Sequence, residues 1–464
     1  MAATPTTLSP QPKPLLIFAA PSAYGHTAHL LPHAAHLTSR GYEVYFLGGP
    51  QFASAIARTG ATFVETPNTW PPEALSDSAN VPPGQTPFLW EQRRLFVDSA
   101  PLAARSLAAL LEDVRARHPR REVVIIEEML FMGTWPFVLG APLPRGYDRF
   151  PRVISFSSFP IWVSSRDTAP FGAGLPPDSS AEGRERNVRL YEALEAEQSS
   201  LMDHANAIYV SLGATEKIAT HRNGDGMVPS MLDVWAGRPA VTVYPCSPSL
   251  EYHRSDLPPN TRFIGGAPRP DLGPSTVLPG WWGELLANKS AEGPEKKKVV
   301  FVTQGTVVSN FDNLVKPVLE GLADREDVLV VAVLGARGAT LGDFDTPRNA
   351  RVQDYLLYHA VLPFADVFIS NGGYGGFMQA VMYGVPMVLA GTTQDKAEVS
   401  MRGEWAGIAV NLRTDTPTRE AVRAGVDWVL GDTRFKTRAR EIRRENEELN
   451  SLGRLEEIIA EVAE

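Results

Sequence analysis

Apolar runs of strand length alternate with helical stretches along most of the chain. The first run, Leu15–Ala19, is followed by a turn at 21–26, a helical stretch ending near residue 39 and a second run at 43–47. A strand, a helix and another strand in this order form a βαβ unit, whose two strands are parallel. Three further runs predict strands at 123–126, 152–157 and 207–210. The pattern therefore predicts an α/β fold, a parallel sheet with helices on both faces.

The same alternation resumes after a break in the middle of the chain. Residues 244–294 are rich in Pro, Gly and Ser and end in the charged run 295–298, which indicates a domain boundary. Later runs predict a second sheet with strands at 299–303, 328–334, 367–370, 387–390 and 408–411. The predicted organisation is a disordered tail (1–13), a first domain (14–245), a linker (246–296), a second domain (297–435) and C-terminal helices (436–464).

The most informative segment is 365–400. Its first strand enters a glycine-rich turn at 371–376, and a helical stretch, a second strand and a polar loop ending at 394–396 follow. Such a turn presents bare backbone N–H groups at the start of a helix, where they suit a phosphate or a diphosphate. If a nucleotide lies on that turn, the loop after the next strand is the natural place for a second polar group of the ligand.

Composition narrows the class of protein. With 464 residues, 44% hydrophobic and 21% charged, the chain is expected to be globular with about two or three domains. A net charge of −9 argues against broad nucleic-acid binding, which needs a basic face. No apolar run reaches about 18 residues and the N-terminus lacks the pattern of a signal peptide, so we expect a soluble protein without a membrane span. A single cysteine, Cys246, favours a reducing compartment, and we expect the cytoplasm.

Four histidines, His26, His29, His33 and His36, follow the first strand. At ~100° per residue they fall within about 80° of one helix face, a spacing that would suit a metal ion. A capping or core role is the alternative for His26. A stretch of helix beside a ligand cleft is the alternative for the other three.

The residues around this helix carry a more specific signal. Gly25 and His26 open it, and 40–44 reads Arg-Gly-Tyr-Glu-Val at the entry to the second strand. In both places, and in the glycine turn of the second half, the chain resembles the family 1 (UDP-glycosyltransferase-like) glycosyltransferases, with Tyr42 in place of a second histidine. The resemblance implies the GT-B fold, two Rossmann-like domains facing a cleft with the C-terminal helices crossing back to the first domain. It also implies a nucleotide sugar as co-substrate, with no other cofactor and no metal, which disfavours a zinc site.

The resemblance makes His26 the general base. A neutral imidazole, with an ordinary pKa of about 6.5, deprotonates an acceptor hydroxyl, which attacks the anomeric carbon as the nucleotide diphosphate leaves. Such a base needs a carboxylate that orients the ring and stabilises the imidazolium. The family has an Asp at the end of a later strand. Counting from Glu122 places Glu127 there, with Glu128 in reserve and a solvated Glu as the alternative.

The resemblance also implies a donor site. Thr306 corresponds to a turn residue that contacts the diphosphate, and Tyr355 to an aromatic residue that stacks on uracil, with a core tyrosine as the alternative. The predicted donor-binding residues are Gly25, Gln304, Gly305, Thr306, Tyr355, Leu356, Tyr358, Asn371, Gly372, Gly373, Tyr374, Gly375, Gly376, Gln379, Asp395 and Lys396.

The glycine turn departs from the family pattern, which is His-x-Gly-x-x-Ser/Thr with an acidic residue three positions later. Asn371 replaces the diphosphate-binding His, Gly376 the Ser/Thr and Gln379 the ribose-binding Glu. Asp395 retains the carboxylate that holds the sugar hydroxyls. Lys396 replaces a Gln and could compensate for the charge lost with the His.

We expect inverting transfer of a hexose, glucose from UDP-glucose, to a hydroxyl of a lipophilic small molecule such as a phenolic, flavonoid or polyketide. An apolar acceptor pocket is predicted from Trp70, Phe88, Trp90, Phe131, Trp135, Phe159 and Trp162. UDP against dTDP, the sugar and the oligomeric state stay open, with a monomer favoured. The alternative function is a nucleotide-sugar-binding protein with lost or altered catalysis. A dehydrogenase and a P-loop NTPase are disfavoured because their glycine motifs are absent.

Overall fold

The computed structural model describes residues 12–67, 81, 86–219, 230–273, 276–305 and 310–463. Two of the predicted site residues, Trp70 and Thr306, lie outside these ranges. Within them the chain forms two parallel sheets, each covered by helices on both faces, as the apolar pattern predicts. None of the helices in the described ranges has both the length and the apolar character to cross a membrane.

The first sheet has the strand order β3-β2-β1-β4-β5-β6-β7. All of its strand pairs are parallel, with Leu16 opposite Val44 and Ile17 opposite Ile125. Its strands are β1 (Leu15–Ala19), β2 (Val44–Gly48), β3 (Thr62–Glu65), β4 (Val123–Glu128), β5 (Arg152–Phe156), β6 (Val241–Tyr244) and β7 (Thr261–Phe263).

The second sheet has the order β10-β9-β8-β11-β12-β13, so each sheet begins with the Rossmann order 3-2-1-4-5-6. Its strands are β8 (Lys298–Thr303), β9 (Val328–Val333), β10 (Ala350–Gln353), β11 (Val367–Ser370), β12 (Met387–Leu389) and β13 (Ala409–Asn411). In such sheets the order in which successive strands are added reverses, between β1 and β4 in the first sheet and between β8 and β11 in the second. The carboxyl ends of these strands form the crevice where ligands bind.

Helices connect and cover the strands. In the first half they are α1 (Tyr24–Thr27), α2 (Leu31–Ser39), α3 (Ala53–Ala57), α4 (Pro87–Glu91), α5 (Ala100–Arg117), α6 (Trp135–Val138), α7 (Ala181–Ser211), α8 (Met231–Gly237) and α9 (Trp282–Ser290). In the second half they are α10 (Val315–Gly321), α11 (Tyr358–Val361), α12 (Tyr374–Tyr383), α13 (Lys396–Trp405), α14 (Arg419–Gly431), α15 (Thr433–Glu448) and α16 (Ser451–Ala463). A π-helical turn, Gln92–Phe96, and a 3-10 turn, Val97–Ser99, join α4 to α5.

The last helix returns to the first domain, as predicted. Leu455, Ile458 and Ile459 of α16 are fully buried in the apolar cluster that covers one face of the first sheet. Each such burial contributes about 1.5–3 kcal/mol relative to an exposed side chain. On the surface, Glu456 Oε2 lies 3.3 Å from His36 Nε2 and 3.2 Å from Arg40 Nε.

Two sequence predictions are wrong. Residues 207–210 are the end of the long helix α7, because Met202, Ala205 and Tyr209 repeat at helical spacing and are buried on one side of it. The predicted linker contains β7, which pairs with β6 and extends the first sheet to Phe263. The pattern also missed β3, β6 and β10, which are short strands of four residues next to loops.

Candidate active site

His26 lies on the short helix α1, which follows β1. At this point the strand order of the first sheet reverses. Its Nδ1 atom is 3.0 Å from Glu128 Oε1, and the Glu128 side chain is fully buried at the end of β4. Ser158 Oγ donates a hydrogen bond of 2.6 Å to the same carboxylate oxygen and lies 3.2 Å from His26 Nδ1. The carboxylate favours a proton on Nδ1, so the lone pair of the neutral ring lies on Nε2.

The surroundings of His26 strengthen it as a base. Burial works to lower its pKa, but the charge of Glu128, the hydrogen bond to Glu128 and the charge of Asp395 together raise it above the ordinary value. The Phe96 ring lies edge-on to the imidazole, with ring centroids 5.5 Å apart. The His26 ring is therefore polarised by a buried carboxylate and contacted by an aromatic ring.

The partner of His26 is Glu128 and not Glu127, so the preference for Glu127 is wrong. Neighbouring residues of a strand face opposite sides of the sheet. Glu128 follows Val124 and Ile126 on the face covered by α2, whereas Glu127 faces the other way. There Glu127 Oε2 accepts a hydrogen bond of 2.6 Å from Thr134, at a cavity of about 270 Å³. Burial, with the charge of Glu128, raises the pKa of Glu127 well above its usual range and favours the neutral acid.

Of the other three histidines, His33 and His36 have separate partners. His33 Nδ1 lies 3.2 Å from the carbonyl oxygen of His29, and His36 is paired with Glu456 of α16. Burial lowers the pKa of His29 and of His33 to about 4. Across the described ranges no three His, Cys, Asp or Glu side chains are grouped as metal ligands would be. His33 and His36 thus take part in contacts within the fold.

The glycine turn follows β11, at the matching point of the second sheet. Gly373 is the N-cap of α12 and supplies no side-chain cap, so the first turn of this helix presents backbone N–H groups at its N-terminus, and Asp395 accepts the one of Tyr374. Gly372 has φ +78°, and a Cβ there would lie 2.7 Å from the buried Ser400 Oγ. Asn371 Nδ2 donates to the Gln304 carbonyl oxygen at 2.8 Å, which joins the turn to the end of β8. The turn is thus built of uncharged groups, a kind of arrangement that suits an anion.

Several predicted donor residues have side chains that serve the fold. Gln304 is buried, and its amide bonds the Asn310 carbonyl oxygen and the Val315 N–H. The Tyr358 hydroxyl lies 3.0 Å from Thr303 Oγ1, and its ring packs against Phe301. Leu356 and Tyr374 are also buried. The three buried residues, Gln304, Leu356 and Tyr374, can reach a ligand in the crevice only through their backbone.

Other predicted donor residues face the crevice. Tyr355 is half-buried, and the Arg337 guanidinium lies 4.7 Å from its ring centroid. Gly25 is exposed, and a Cβ there would touch nothing. Gly305 has φ +78° and follows Gln304. Gln379 Nε2 lies 3.4 Å from the Gly375 carbonyl oxygen in α12.

Asp395 is the N-cap of α13 and lies near both halves of the site. Burial raises the pKa of Asp395, against the charges of Lys396 and His26 and a hydrogen bond from the Tyr374 N–H. Its carboxylate therefore lies beside the first turn of α12 and within electrostatic reach of His26. Lys396 Nζ bonds Gln394 Oε1 at 2.6 Å.

Known proteins match this chain over nearly its whole length. The family model "Erythromycin biosynthesis protein CIII-like, C-terminal domain" matches residues 317–460. UDP-glucosyltransferase 1 of Beauveria bassiana (strain ARSEF 2860) is 40% identical over 449 residues, 96% of this chain and 94% of that protein. The chain belongs to the family 1 glycosyltransferases. UDP-glycosyltransferase 2 of Phaeomoniella chlamydospora is a second relative of this glycosyltransferase, 35% identical across 97% of this chain and 96% of that protein.

The fold of the glycosyltransferase is GT-B. The crystal structure of the glycotransferase of kitacinnamycin aligns with a TM-score of 0.70 at 21% identity, over 97% of this chain and 99% of that one. The two Rossmann-like domains and the returning C-terminal helix agree with the fold predicted from the sequence. In this fold the base of the first domain and the glycine turn of the second face one cleft.

Aromatic side chains of the glycosyltransferase form one wall near the base. Phe88 and Phe171 pack on Trp162, with ring centroids 4.5 and 4.4 Å from its own, and Phe159 lies edge-on to Trp162 at 5.2 Å. The structure therefore brings together three predicted acceptor residues, and Trp90 is buried nearby on α4. Phe171 was missed although it follows Trp162 in the same irregular segment.

Two predicted acceptor residues belong to the core instead. Phe131 is 2% exposed and packs in the cluster beneath α5. Trp135 is 1% exposed, packs against Trp235 and lines the cavity that Glu127 lines, away from His26. Phe96 was missed because a π-helical turn, not a regular period, aims its ring at His26.

Proposed function

We propose that this glycosyltransferase transfers glucose from UDP-glucose to a hydroxyl of a lipophilic aromatic small molecule, with inversion at the anomeric carbon and without a metal ion. The observation that carries the proposal is the His26–Glu128 pair, 3.0 Å apart, facing Asp395 and the glycine turn. UDP and glucose are supported by the relative named UDP-glucosyltransferase 1 at 40% identity.

Each residue then has one task. His26 Nε2 takes the proton of the acceptor hydroxyl as its oxygen attacks the anomeric carbon, and Glu128 stabilises the imidazolium that forms. UDP leaves from the opposite side, so an α-linked donor gives a β-glucoside. Asp395 accepts from two sugar hydroxyls, which orients the anomeric carbon toward His26.

The donor diphosphate is held mainly by neutral groups. The open N–H groups of Gly375 and Gly376, in the first turn of α12, carry the positive end of the helix dipole. Lys396 supplies a nearby positive charge, and uracil stacks on the Tyr355 ring that Arg337 supports. Such a site needs no bound cation to neutralise the leaving UDP.

The acceptor side favours flat apolar molecules. Phe96 beside His26 and the Phe88–Trp162–Phe171 wall offer ring surfaces and few charges. We therefore propose phenolics, flavonoids or aromatic polyketides as acceptors. We also place the protein in the cytoplasm as a monomer, supported by the single, buried Cys246 for the reducing compartment.

The alternative is a nucleotide-sugar-binding protein without transfer activity. The uncharged Asn371 and Gln379 motivate it, because both replace charged or ionisable residues of the family pattern. The His26–Glu128–Ser158 arrangement favours the enzyme, since binding alone gives no reason to bury a carboxylate against this ring.

The proposal is tested with purified protein, UDP-glucose and a panel of phenolic acceptors. Mass spectrometry is expected to detect glucosides, and NMR is expected to show the β-anomer. Activity is expected to persist in EDTA, and dTDP-glucose is expected to compete poorly.

Three results would contradict parts of the proposal. UDP binding without glucoside from any donor would favour the binding protein. An α-glucoside would rule out inversion, and loss of activity in EDTA that Mg²⁺ restores would rule out the metal-free mechanism.

A further inference from the structure

One face of helix α13 joins the proposed sugar site to the acceptor wall. Asp395, Glu398 and Arg402 are spaced i, i+3 and i+7, so they lie along the same side of the helix. Asp395 lies beside the glycine turn of the second domain. Glu398 and Arg402 contact the first domain instead.

Glu398 holds the loop that carries the acceptor aromatics. Its Oε1 atom accepts hydrogen bonds from the Gly172 N–H at 3.0 Å and the Gly174 N–H at 2.9 Å. Both glycines have positive φ, +97° and +59°, and a Cβ on Gly174 would lie 3.2 Å from Ala397 Cβ. Phe171 directly precedes these two anchors. The loop therefore fits closely against α13.

Arg402 fixes the other end of the same loop. Its guanidinium donates to Glu398 Oε2 at 2.8 Å, to Glu251 Oε2 at 2.9 Å and to the Ile161 carbonyl oxygen at 2.9 Å. Glu251 Oε1 in turn accepts from the Ile161 N–H at 2.7 Å. Ile161 lies between Phe159 and Trp162, so the anchor is inside the aromatic wall.

This cluster is more than a surface ion pair. The side chains of Arg402, Glu251 and Glu398 are 2%, 3% and 6% exposed. Arg254 adds a second positive charge, 3.6 Å from Glu251 Oε2, and also donates to the Ile161 carbonyl oxygen. The charges of two carboxylates and two guanidinium groups thus balance within a buried site, where unpaired charges would be costly.

We propose that Glu398 and Arg402 are positioning residues, which hold the acceptor loop 159–174 in register with Asp395 so that the acceptor hydroxyl, rather than water, meets the anomeric carbon. The proposal rests on the proposed glucosyl transfer. The geometry supports it because one rigid helix contacts the sugar end and both ends of the acceptor loop. A shift of that loop moves the acceptor without moving the donor.

The test measures how UDP-glucose is divided between two products, glucoside and free glucose, where free glucose comes from attack by water. The ratio does not depend on the fraction of active enzyme, so a merely structural role would not change it. The charge-balanced variant Glu398→Gln/Arg402→Met is compared with the wild type and with the single variant Glu398→Gln. The control is Arg325→Met, since Arg325 bridges Asp327 and Asp427 at a remote place in the second domain.

The glucoside-to-glucose ratio is expected to fall about tenfold or more in the double variant and by less in Glu398→Gln. The KM for UDP-glucose is expected to change little, and Arg325→Met should keep the wild-type ratio. Unchanged ratios in both cluster variants would overturn the positioning role. If the double variant does not fold, the ratio measured for Glu398→Gln alone decides the test, because glutamine has nearly the same shape as glutamate. A wild type that consumes no UDP-glucose would instead refute the proposed function.

Discussion

The two sides of the cleft differ in the charge of the groups that they present. On the first-domain side, a buried carboxylate, Glu128, contacts an ionisable ring, His26, and raises its pKa. On the second-domain side, the glycine turn presents Asn371, backbone N–H groups and Gln379, none of which carries a charge. Proton transfer needs a polarised pair, whereas a phosphate can be held by oriented amides alone. The comparison predicts that substitutions on the first side change turnover and those on the second change donor affinity.

The largest effect is expected for His26→Ala. Loss of a general base lowers kcat by about 10²- to 10⁴-fold, while UDP affinity measured by calorimetry should stay near the wild-type value. His36→Ala is the matched control, because His36 contacts Glu456 and not the site. Near-normal turnover in His26→Ala would refute the role of the base.

The next largest effect is expected for Glu128→Gln, compared with Glu127→Gln on the same strand. The first removes the charge that stabilises the imidazolium and should lower kcat by about 10²-fold or more. The second replaces an acid whose pKa burial raises well above its usual range, and it should change kcat little. Equal losses in the two variants would show that strand alternation does not separate their roles.

A smaller effect, on binding, is expected for Asn371→Asp. The new carboxylate repels the diphosphate and cannot donate to the Gln304 carbonyl oxygen, so UDP affinity should fall about tenfold. The repulsive part should shrink at high salt, which a purely structural disturbance would not do. Unchanged affinity would place the diphosphate elsewhere.

The smallest effect is expected for Gln379→Glu, on helix α12. A carboxylate there can accept hydrogen bonds from both ribose hydroxyls and should tighten UDP binding by about threefold. The expected change in UDP affinity is opposite in sign to that of Asn371→Asp, although both substitutions add one negative charge. Weaker binding would mean that the ribose does not reach Gln379.

The sequence predicts most of the fold because its central strands are continuous apolar runs. Val367–Ser370, the glycine turn and the helix after it follow from local chemistry and are found in the structure. The pattern failed at 207–210, where a run of aromatic and β-branched residues resembles a strand. The apolar residues before it repeat at helical spacing, and the segment is the end of a helix. Short strands such as Thr261–Phe263 carry too few residues to show a period.

The site was less predictable, because it depends on which face of a strand a side chain occupies. A shift of one residue in the assumed end of β4 exchanges Glu127 for Glu128, and no local signal fixes that end. Ser158 was missed too, although a polar pair at 157–158 directly after β5 is the kind of signal that could have found it. Glu251, Glu398 and Arg402 come together only through tertiary packing.

The pH dependence of kcat/KM tests the central claim, that His26 works as a base through Glu128, most directly. The base acts when neutral, so activity falls as the pH drops through its pKa. Removing the charge that raises this pKa should move the acidic limb to lower pH in Glu128→Gln, with a lower plateau, and leave it in place in Glu127→Gln. A limb that moves in Glu127→Gln and stays fixed in Glu128→Gln would contradict the account.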